Sequence, residues 1–438
     1  MNTKRPNIIF ILADDLGYAD LGCYGGRSNK FGPVSPNIDS LAENGIKFTD
    51  GYSNSSVCSP TRFALITGNY QYRFRGAAEE PLSIRSKKNY GVPNDYPTIP
   101  RLLQENGYKT ALIGKWHLGM PPDYGPLKCG YQEFFGPLTG AVDYFTHQTA
   151  GGKHDLWDNE ESFETSGYLT DILSDRAVTF INENADSDNP FFLSLHYTAP
   201  HWPWESRDDF DVSKDPLVNL FHLHGGNVET YQKMINHMDE GIGRIVSTLK
   251  ESNLLENTLI IFTSDNGGER FSDNWPLVGG KMELTEGGIR VPYIAHWPEK
   301  IPKKSISNQN CLTMDWSVTV LDVAGINDID ALNLDGISLF EVLKNPEVSF
   351  KRDMFWRMKN KMQRAFRSGP WKYLKVDENE YLFNLNKDSR ERANLAEVEK
   401  DKFIEMKSAW ESWNKSMPPI PEDAVVGVVY TEKNMPKR

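Results

Sequence analysis

Along this chain the apolar residues fall into short unbroken runs, each ending abruptly in polar or charged residues. Asn7 to Ala13, Lys109 to Ile113, Pro190 to His196, Thr258 to Thr263 and Val291 to Trp297 are rich in β-branched and aromatic residues. Runs of that length and kind predict strands covered on both faces. Between them lie stretches of helical pattern at Pro36 to Asn44, Tyr168 to Asn184 and Met314 to Gly325. The clearest is Glu229 to Lys250, where Tyr231, Ile235, Met238, Ile242, Ile245 and Leu249 recur at helical spacing and so face a core. Strands alternating with helices predict an α/β domain. Pro121 to Ser166 interrupts the alternation; rich in Gly, Pro and aromatics, it reads as one long decorated loop of the kind that carries substrate selection.

From about Asn345 the pattern changes. Gln363 to Arg367 and Trp371 to Val376 predict a hairpin, Glu380 to Asn384 a third strand, and Glu391 to Trp413 a helical region. The reading is a large α/β domain over 1–344 and a smaller α+β domain with an antiparallel sheet over 345–438, closing in a Pro-rich tail from Pro418 with a basic end.

At 438 residues the chain is long enough for both domains, and a hydrophobic content of 39% suits an ordinary soluble core. The net charge of −12 argues against nucleic acid and acidic membranes as partners, so an anionic substrate requires a local basic cluster. Cys23, Cys58, Cys129 and Cys311 show neither metal-finger spacing nor a disulfide framework. The N-terminal apolar run is too short to span a membrane and lacks a signal-peptide cleavage region. The expectation is a soluble protein, cytoplasmic as the sequence stands and periplasmic or secreted if a signal peptide has been removed.

Chemistry-bearing residues gather where apolar runs stop. Asp14-Asp15 and Asp265-Asn266 each follow a predicted strand. Adjacent acids there repel unless they sit in a solvated turn or share a divalent cation, and hard oxygen ligands suit Ca²⁺ or Mg²⁺. Gly114-Lys115-Trp116-His117 follows another strand, with Lys115 and His117 two residues apart and so on one side of an extended segment. His201 lies between prolines and tryptophans after the run ending at His196. Ser55 to Gly68 reads as a loop delivering Cys58 to the start of a helix, with Pro60 early in it and Gly68 as its stop. Unpaired N–H groups and the dipole favour an anion beside Cys58, and Arg62, one turn on, offers a fork for oxyanions.

Cys58-Ser59-Pro60-Thr61-Arg62 resembles the Cys-x-Pro-x-Arg signature of the type I sulfatases of the alkaline phosphatase superfamily. Leu16-Gly17-Tyr18, Ser35 to Ala42, Gly114 to His117, Val278 to Lys281 and Tyr381 to Leu385 extend the resemblance over nearly the whole chain. It departs at Asn69, where the family pattern continues Thr-Gly-Arg. The resemblance implies an alkaline-phosphatase-like domain with a central, mixed, mostly parallel sheet. It also implies that a maturation enzyme oxidises Cys58 to formylglycine, whose hydrate attacks the sulfur of a sulfate ester. Asp14, Asp15, Asp265, Asn266 and the modified Cys58 are the implied ligands of Ca²⁺, with Mg²⁺ as the alternative. Arg62, Lys115 and Lys281 are assigned to the sulfate, His117 to the proton transfer that eliminates it, and His201 to sulfate binding and the leaving group. Trp202, His147, Arg270 and Arg290 are the candidates for contact with a sulfated sugar or oligosaccharide. Two rival readings are a phosphonate monoester or phosphodiester hydrolase and a catalytically silent carbohydrate-binding homologue.

Overall fold

A computed structural model describes residues 4–26, 32–83, 88–211, 225–326 and 328–427. Among the described residues the first three quarters of the chain supply twelve strands, ten of which form the large sheet. The first five are β1 (Asn7–Ala13), β2 (Ile46–Phe48), β3 (Gly51–Tyr52), β4 (Lys109–Gly114) and β5 (Glu133–Gly136). They are followed by β6 (Trp157–Asp158), β7 (Glu161–Ser162), β8 (Phe191–His196), β9 (Thr258–Ser264), β10 (Tyr293–His296), β11 (Ser305–Ser307) and β12 (Cys311–Leu312). Across the sheet the order is β11-β2-β10-β9-β1-β8-β4-β5-β6-β7, while β3 and β12 pair separately. The five central strands, β9 to β5 in that order, are mutually parallel.

The alternation of β1 shows why its sequence is apolar throughout. Ile9, Ile11 and Ala13 enter one core and Ile8, Phe10 and Leu12 the other. Helices α1 (Pro36–Glu43), α4 (Leu169–Glu183) and α5 (Val228–Glu251) cover the first face. The second is covered by α2 (Cys58–Thr67), α3 (Ile99–Glu105) and α6 (Thr313–Val323). Both faces of a parallel sheet are thereby dry.

A second sheet is antiparallel and four-stranded, in the order β13 (Met354–Arg357), β14 (Arg364–Ser368), β15 (Trp371–Val376) and β16 (Asn379–Asn384). Helix α7 (Lys400–Lys415) packs Met406 and Trp410 on it. Three expectations need correction. The small sheet has a fourth strand, β13; the helix begins at Lys400, because residues 391–399 turn and bend; and the stretch from Pro121 to Ser166 contributes β5, paired with β4. The tail is described as far as Gly427, so its basic end lies outside the described residues. Among the described residues no helix is long and apolar enough to cross a membrane.

Candidate active site

Parallel strands end together, and here four of them deliver polar residues to one edge. Asp14-Asp15 follow β1, Lys115 follows β4, Asp265-Asn266 follow β9, and His201 follows β8 by five residues. Backbone hydrogen bonds extend the pairing past the strands: Asp265 N–H donates to Ala13 (3.1 Å), Asp14 to Ala199 (3.1 Å) and Lys115 to His196 (2.8 Å). Gly114 permits the last of these, since a Cβ there would lie 1.8 Å from the His196 carbonyl oxygen. The site is therefore built on main chain that the sheet already holds.

Cys58 opens α2, with Val57 extended before it and Gly68, at φ 67°, closing the helix. Thr61 Oγ1 accepts from Ser55 N–H at 3.0 Å and fixes the approach. Burial pushes the Cys58 thiol up to about 12 against the pull of Lys115 and Lys281, so the unmodified side chain is a neutral thiol and a poor nucleophile. Asn69, at the position where the family pattern departs, is buried and structural: its Nδ2 donates to the Thr67 carbonyl and its Oδ1 accepts from Asp335 N–H.

Three cations meet three carboxylates around Cys58. Lys115 Nζ donates to Asp14 Oδ2 at 2.5 Å, Lys281 Nζ to Asp15 Oδ2 at 2.6 Å, and Arg62 Nε and Nη2 to Asp265 Oδ2 at 3.1 and 2.9 Å. Burial alone would raise the Asp15 carboxyl, but Lys281 and then His201 hold it down at about 2. Burial, followed by the charge of Asp14, pushes Asp265 up to about 7 despite Arg62.

Among the described residues Asp14 Oδ1 and Asn266 Oδ1 are buried acceptors without a partner. Ligand atoms of Asp14, Asp15, Cys58 and His201 lie within 4.8 Å of one another. Unpartnered buried oxygens among carboxylates suit a hard cation, so the residues fit the metal that the sequence implies. In its acids and histidine that group differs from the expected ligand set in two places: it takes in His201, and it leaves out Asp265, whose Oδ2 is held by Arg62. His201 Nδ1 lies 2.5 Å from the Trp202 carbonyl, leaving Nε2 at 3.5 Å from Asp15 Oδ2.

His117, at φ 58°, places Nε2 2.8 Å from the Leu82 carbonyl, which fixes the proton there and leaves Nδ1 a buried acceptor with no partner. Burial and then Lys115 hold its pKa well below the usual range, so the ring is a neutral base. Gly140 makes room for it, since a Cβ there would lie 2.5 Å from Cε1.

Two residues were invisible to sequence reasoning. His196, the last residue of β8, is buried with its Nδ1 3.3 Å from the Lys115 carbonyl. Glu269 is pushed up to about 7 by burial and by Asp15, against Lys281. Nothing in its local sequence sets it apart from any loop glutamate.

The expected sugar contacts divide. Trp202 is nearly buried with its ring on His201, at a centroid distance of 4.7 Å, and so forms a wall of the histidine's pocket. Arg270 lies over Trp204 and Phe271, 5.8 and 5.2 Å from their ring centroids. The other two stand apart from that pocket, engaged elsewhere. His147 is buried beside His154 inside the long loop. Arg290 is committed to Asp50 at 3.2 Å, Glu286 at 3.4 Å and the Thr49 carbonyl at 2.8 Å, which leaves no free fork for a sugar.

Known proteins are similar to this chain in sequence and fold. A family model described as Sulfatase matches residues 6–326, and one described as N-sulphoglucosamine sulphohydrolase, C-terminal, matches 280–411. The chain is 32% identical to arylsulfatase J of Mus musculus over 360 residues, 79% of this chain and 58% of that protein. It is 31% identical to N-acetylgalactosamine-6-sulfatase of Canis lupus familiaris over 378 residues, 81% of this chain and 69% of that one. The crystal structure of Ps i-CgsB in complex with k-i-k-neocarrahexaose superposes with a TM-score of 0.83 at 34% identity, over 94% of each chain.

Proposed function

Since the chain belongs to the sulfatase family, whose members hydrolyse sulfate esters, we propose that it removes a sulfate group from a sulfated sugar or oligosaccharide. One observation carries the reading: a helix-opening cysteine stands among three cations, two neutral histidines and four side chains bearing oxygen ligands, all at one sheet edge. The oligosaccharide-bound neighbour supports the substrate class. The division into 1–344 and 345–438 is likewise proposed, supported by the change from a mostly parallel to an antiparallel sheet.

Asp14, Asp15, Asp265 and Asn266 would hold the cation, and oxygen ligands favour Ca²⁺. Formylglycine formed at Cys58 by a maturation enzyme would supply the nucleophile, and a cation held by these residues would make its hydroxyl easier to ionise. Arg62, Lys115 and Lys281 then have a second task. Each now neutralises a carboxylate, and each can turn donors toward sulfuryl oxygens as a cation takes over those acids. The alcohol needs a proton as it departs. Lys281 Nζ and His201 Nε2 both approach Asp15 Oδ2; the ammonium can give that proton directly, whereas the neutral imidazole, whose proton faces the Trp202 carbonyl from Nδ1, has to take a second proton at Nε2 before it can share the duty. His117, with its proton fixed on the Leu82 side, accepts one at Nδ1, the act required to expel sulfate.

The test is sulfate release by protein co-expressed with a maturation enzyme, across matched sulfate, phosphate and phosphonate esters and a panel of sulfated saccharides. Release from sulfate esters that disappears in Cys58→Ala is the expected result. Preferential turnover of phosphate or phosphonate esters, with Cys58 conversion confirmed by peptide mass, would replace the sulfatase reading by its superfamily rival. Silence toward every ester would favour a binding protein.

A further inference from the structure

Asp265-Asn266 and Lys281 stand at the two ends of one loop. Its neck closes where Lys281 N–H donates to the Gly268 carbonyl at 3.1 Å. Its body is strapped to the segment after Asp15: Ala19 N–H donates to the Asp273 carbonyl at 2.7 Å, and Asp273 N–H to Asp20 Oδ1 at 2.9 Å. Six residues before Lys281, at most about 20 Å along the chain, the loop exposes Trp275. That side chain is 60% exposed although the backbone around it is well held. Packing does not explain a tryptophan left in water on a tethered loop.

Arg390 lies on this ring, with Cζ 4.2 Å from a ring centroid. It comes from the turn after β16, where its neighbour Glu391 is anchored by Lys372 at 2.8 Å and by Glu286 N–H at 2.7 Å. Among the described residues no carboxylate pairs with Arg390, and its buried Nε has no partner. A guanidinium placed over an aromatic ring can still direct its outer N–H groups to an anion, and the tryptophan exposure that remains is what the arginine leaves uncovered. An aromatic surface beside an unpaired fork, on a loop rooted in the reaction centre, matches a sugar ring bearing a sulfate or carboxylate.

We propose that Trp275 and Arg390 form a distal subsite for a second, anion-bearing sugar of an oligosaccharide whose reacting sulfate lies at Cys58. The subsite rests on the sulfatase reading and makes the enzyme prefer oligosaccharides to single sugars. The competing role for the pair is a clasp between the two sheets, which would affect melting and not selectivity.

Binding is measured on full-length Cys58→Ala, so the result does not depend on turnover. Calorimetry compares sulfated monosaccharides with size-graded sulfated oligosaccharides, k-i-k-neocarrahexaose among them. The expected result is an oligosaccharide bound at least about tenfold more tightly than its monosaccharide. That gain is lost when Trp275→Ala or Arg390→Gln is added, and Arg390→Lys, keeping charge without the planar fork, recovers part of it. No gain with length, or a gain that survives both added substitutions, overturns the subsite, as does a fall in melting temperature with selectivity intact. Failure of the sulfatase reading appears separately, as an absence of sulfate release from every ester by the formylglycine-bearing wild type.

Discussion

At the carboxyl edge of the large sheet Asp14, Asp15 and Asp265 face Arg62, Lys115 and Lys281; where the small sheet meets the large one, Asp50, Glu286 and Glu391 face Arg290, Arg367 and Lys372. Both clusters bury three acids with three bases, yet their loose ends differ. In the second, Lys372 Nζ lies 2.9 Å from Glu286 Oε1 and 2.8 Å from Glu391 Oε1. Tyr52 donates to Glu286 Oε2 at 2.6 Å, Glu286 N–H to Glu391 Oε2 at 2.7 Å, and Thr49 and Arg367 cover the two oxygens of Asp50. Five of the six carboxylate oxygens accept a hydrogen bond, and the sixth, Glu391 Oε1, is covered by its ion pair with Lys372. In the first, Asp14 Oδ1, Asn266 Oδ1 and His117 Nδ1 have no partner. Balanced buried charge is thus common to scaffold and site, and unpartnered atoms converging on one point distinguish the site.

If that distinction holds, one lysine from each cluster should fail differently. Lys372→Met leaves Glu286 and Glu391 buried without their cation, a loss of about 3–5 kcal/mol of stability. Its kcat per folded molecule should stay near the wild-type value. Denaturant unfolding and active-site titration check both, and a stable variant with impaired kcat would place the second cluster in the chemistry. Lys115→Met should instead lower kcat/KM by about 10²–10³-fold, the cost of losing one donor to developing oxyanion charge. Its effect on folding should be smaller than that of Lys372→Met, because a cation held at the site would cover Asp14.

The first cluster was legible in the sequence and the second was not, for a physical reason. Asp14-Asp15, Lys115, His201 and Asp265-Asn266 each stand just after an apolar strand, where edge geometry gathers them. Glu286 opens a four-residue helix whose C-cap is Arg290, and their partners Arg367, Lys372 and Glu391 come from the small sheet and the turn after it, so no local pattern marks the pairing. Arg290 therefore read as a possible sugar contact. Secondary structure failed in the same way: β2 and β11 have three residues each, and β5, Glu133–Gly136, lies inside a Gly- and Pro-rich stretch. Such strands exist because a neighbour offers hydrogen bonds, not because their own sequence demands extension. Trp275 and Arg390 escaped for a related reason, since their contact joins positions more than a hundred residues apart.

Cation binding sharpens the comparison further. A cation bound only by the folded chain adds about 2.7 kcal/mol at a hundredfold excess over its Kd. Treatment with a chelator should lower the melting temperature, and Ca²⁺ should restore it. The Ca²⁺ response should vanish in Asp14→Asn and persist in Arg290→Gln, whose side chain belongs to the closed cluster. A response lost equally in both variants would mean that the clusters are not separate.

His147 gives the smallest effect and the strictest test of what an unpartnered atom means. Among the described residues neither of its buried ring nitrogens makes a well-formed hydrogen bond, although the backbone at Gly167 and Tyr144 lies close enough to favour its proton; its ring neighbour is His154, and no cation or oxygen ligand set converges on it. On the argument above it is a buried base that must stay neutral. Burial, then His154, lowers its pKa from 6.5 to about 4, and Asp143 only partly opposes them. Unfolded chains therefore bind the proton first as the pH falls, so stability present above about pH 6.5 is lost down to about pH 4, by roughly 1–3 kcal/mol. His147→Gln should flatten that part of the stability curve without altering the pH profile of kcat. An unchanged slope would show that the ring takes its proton freely in the folded state, and a shifted kcat profile would return His147 to the reaction.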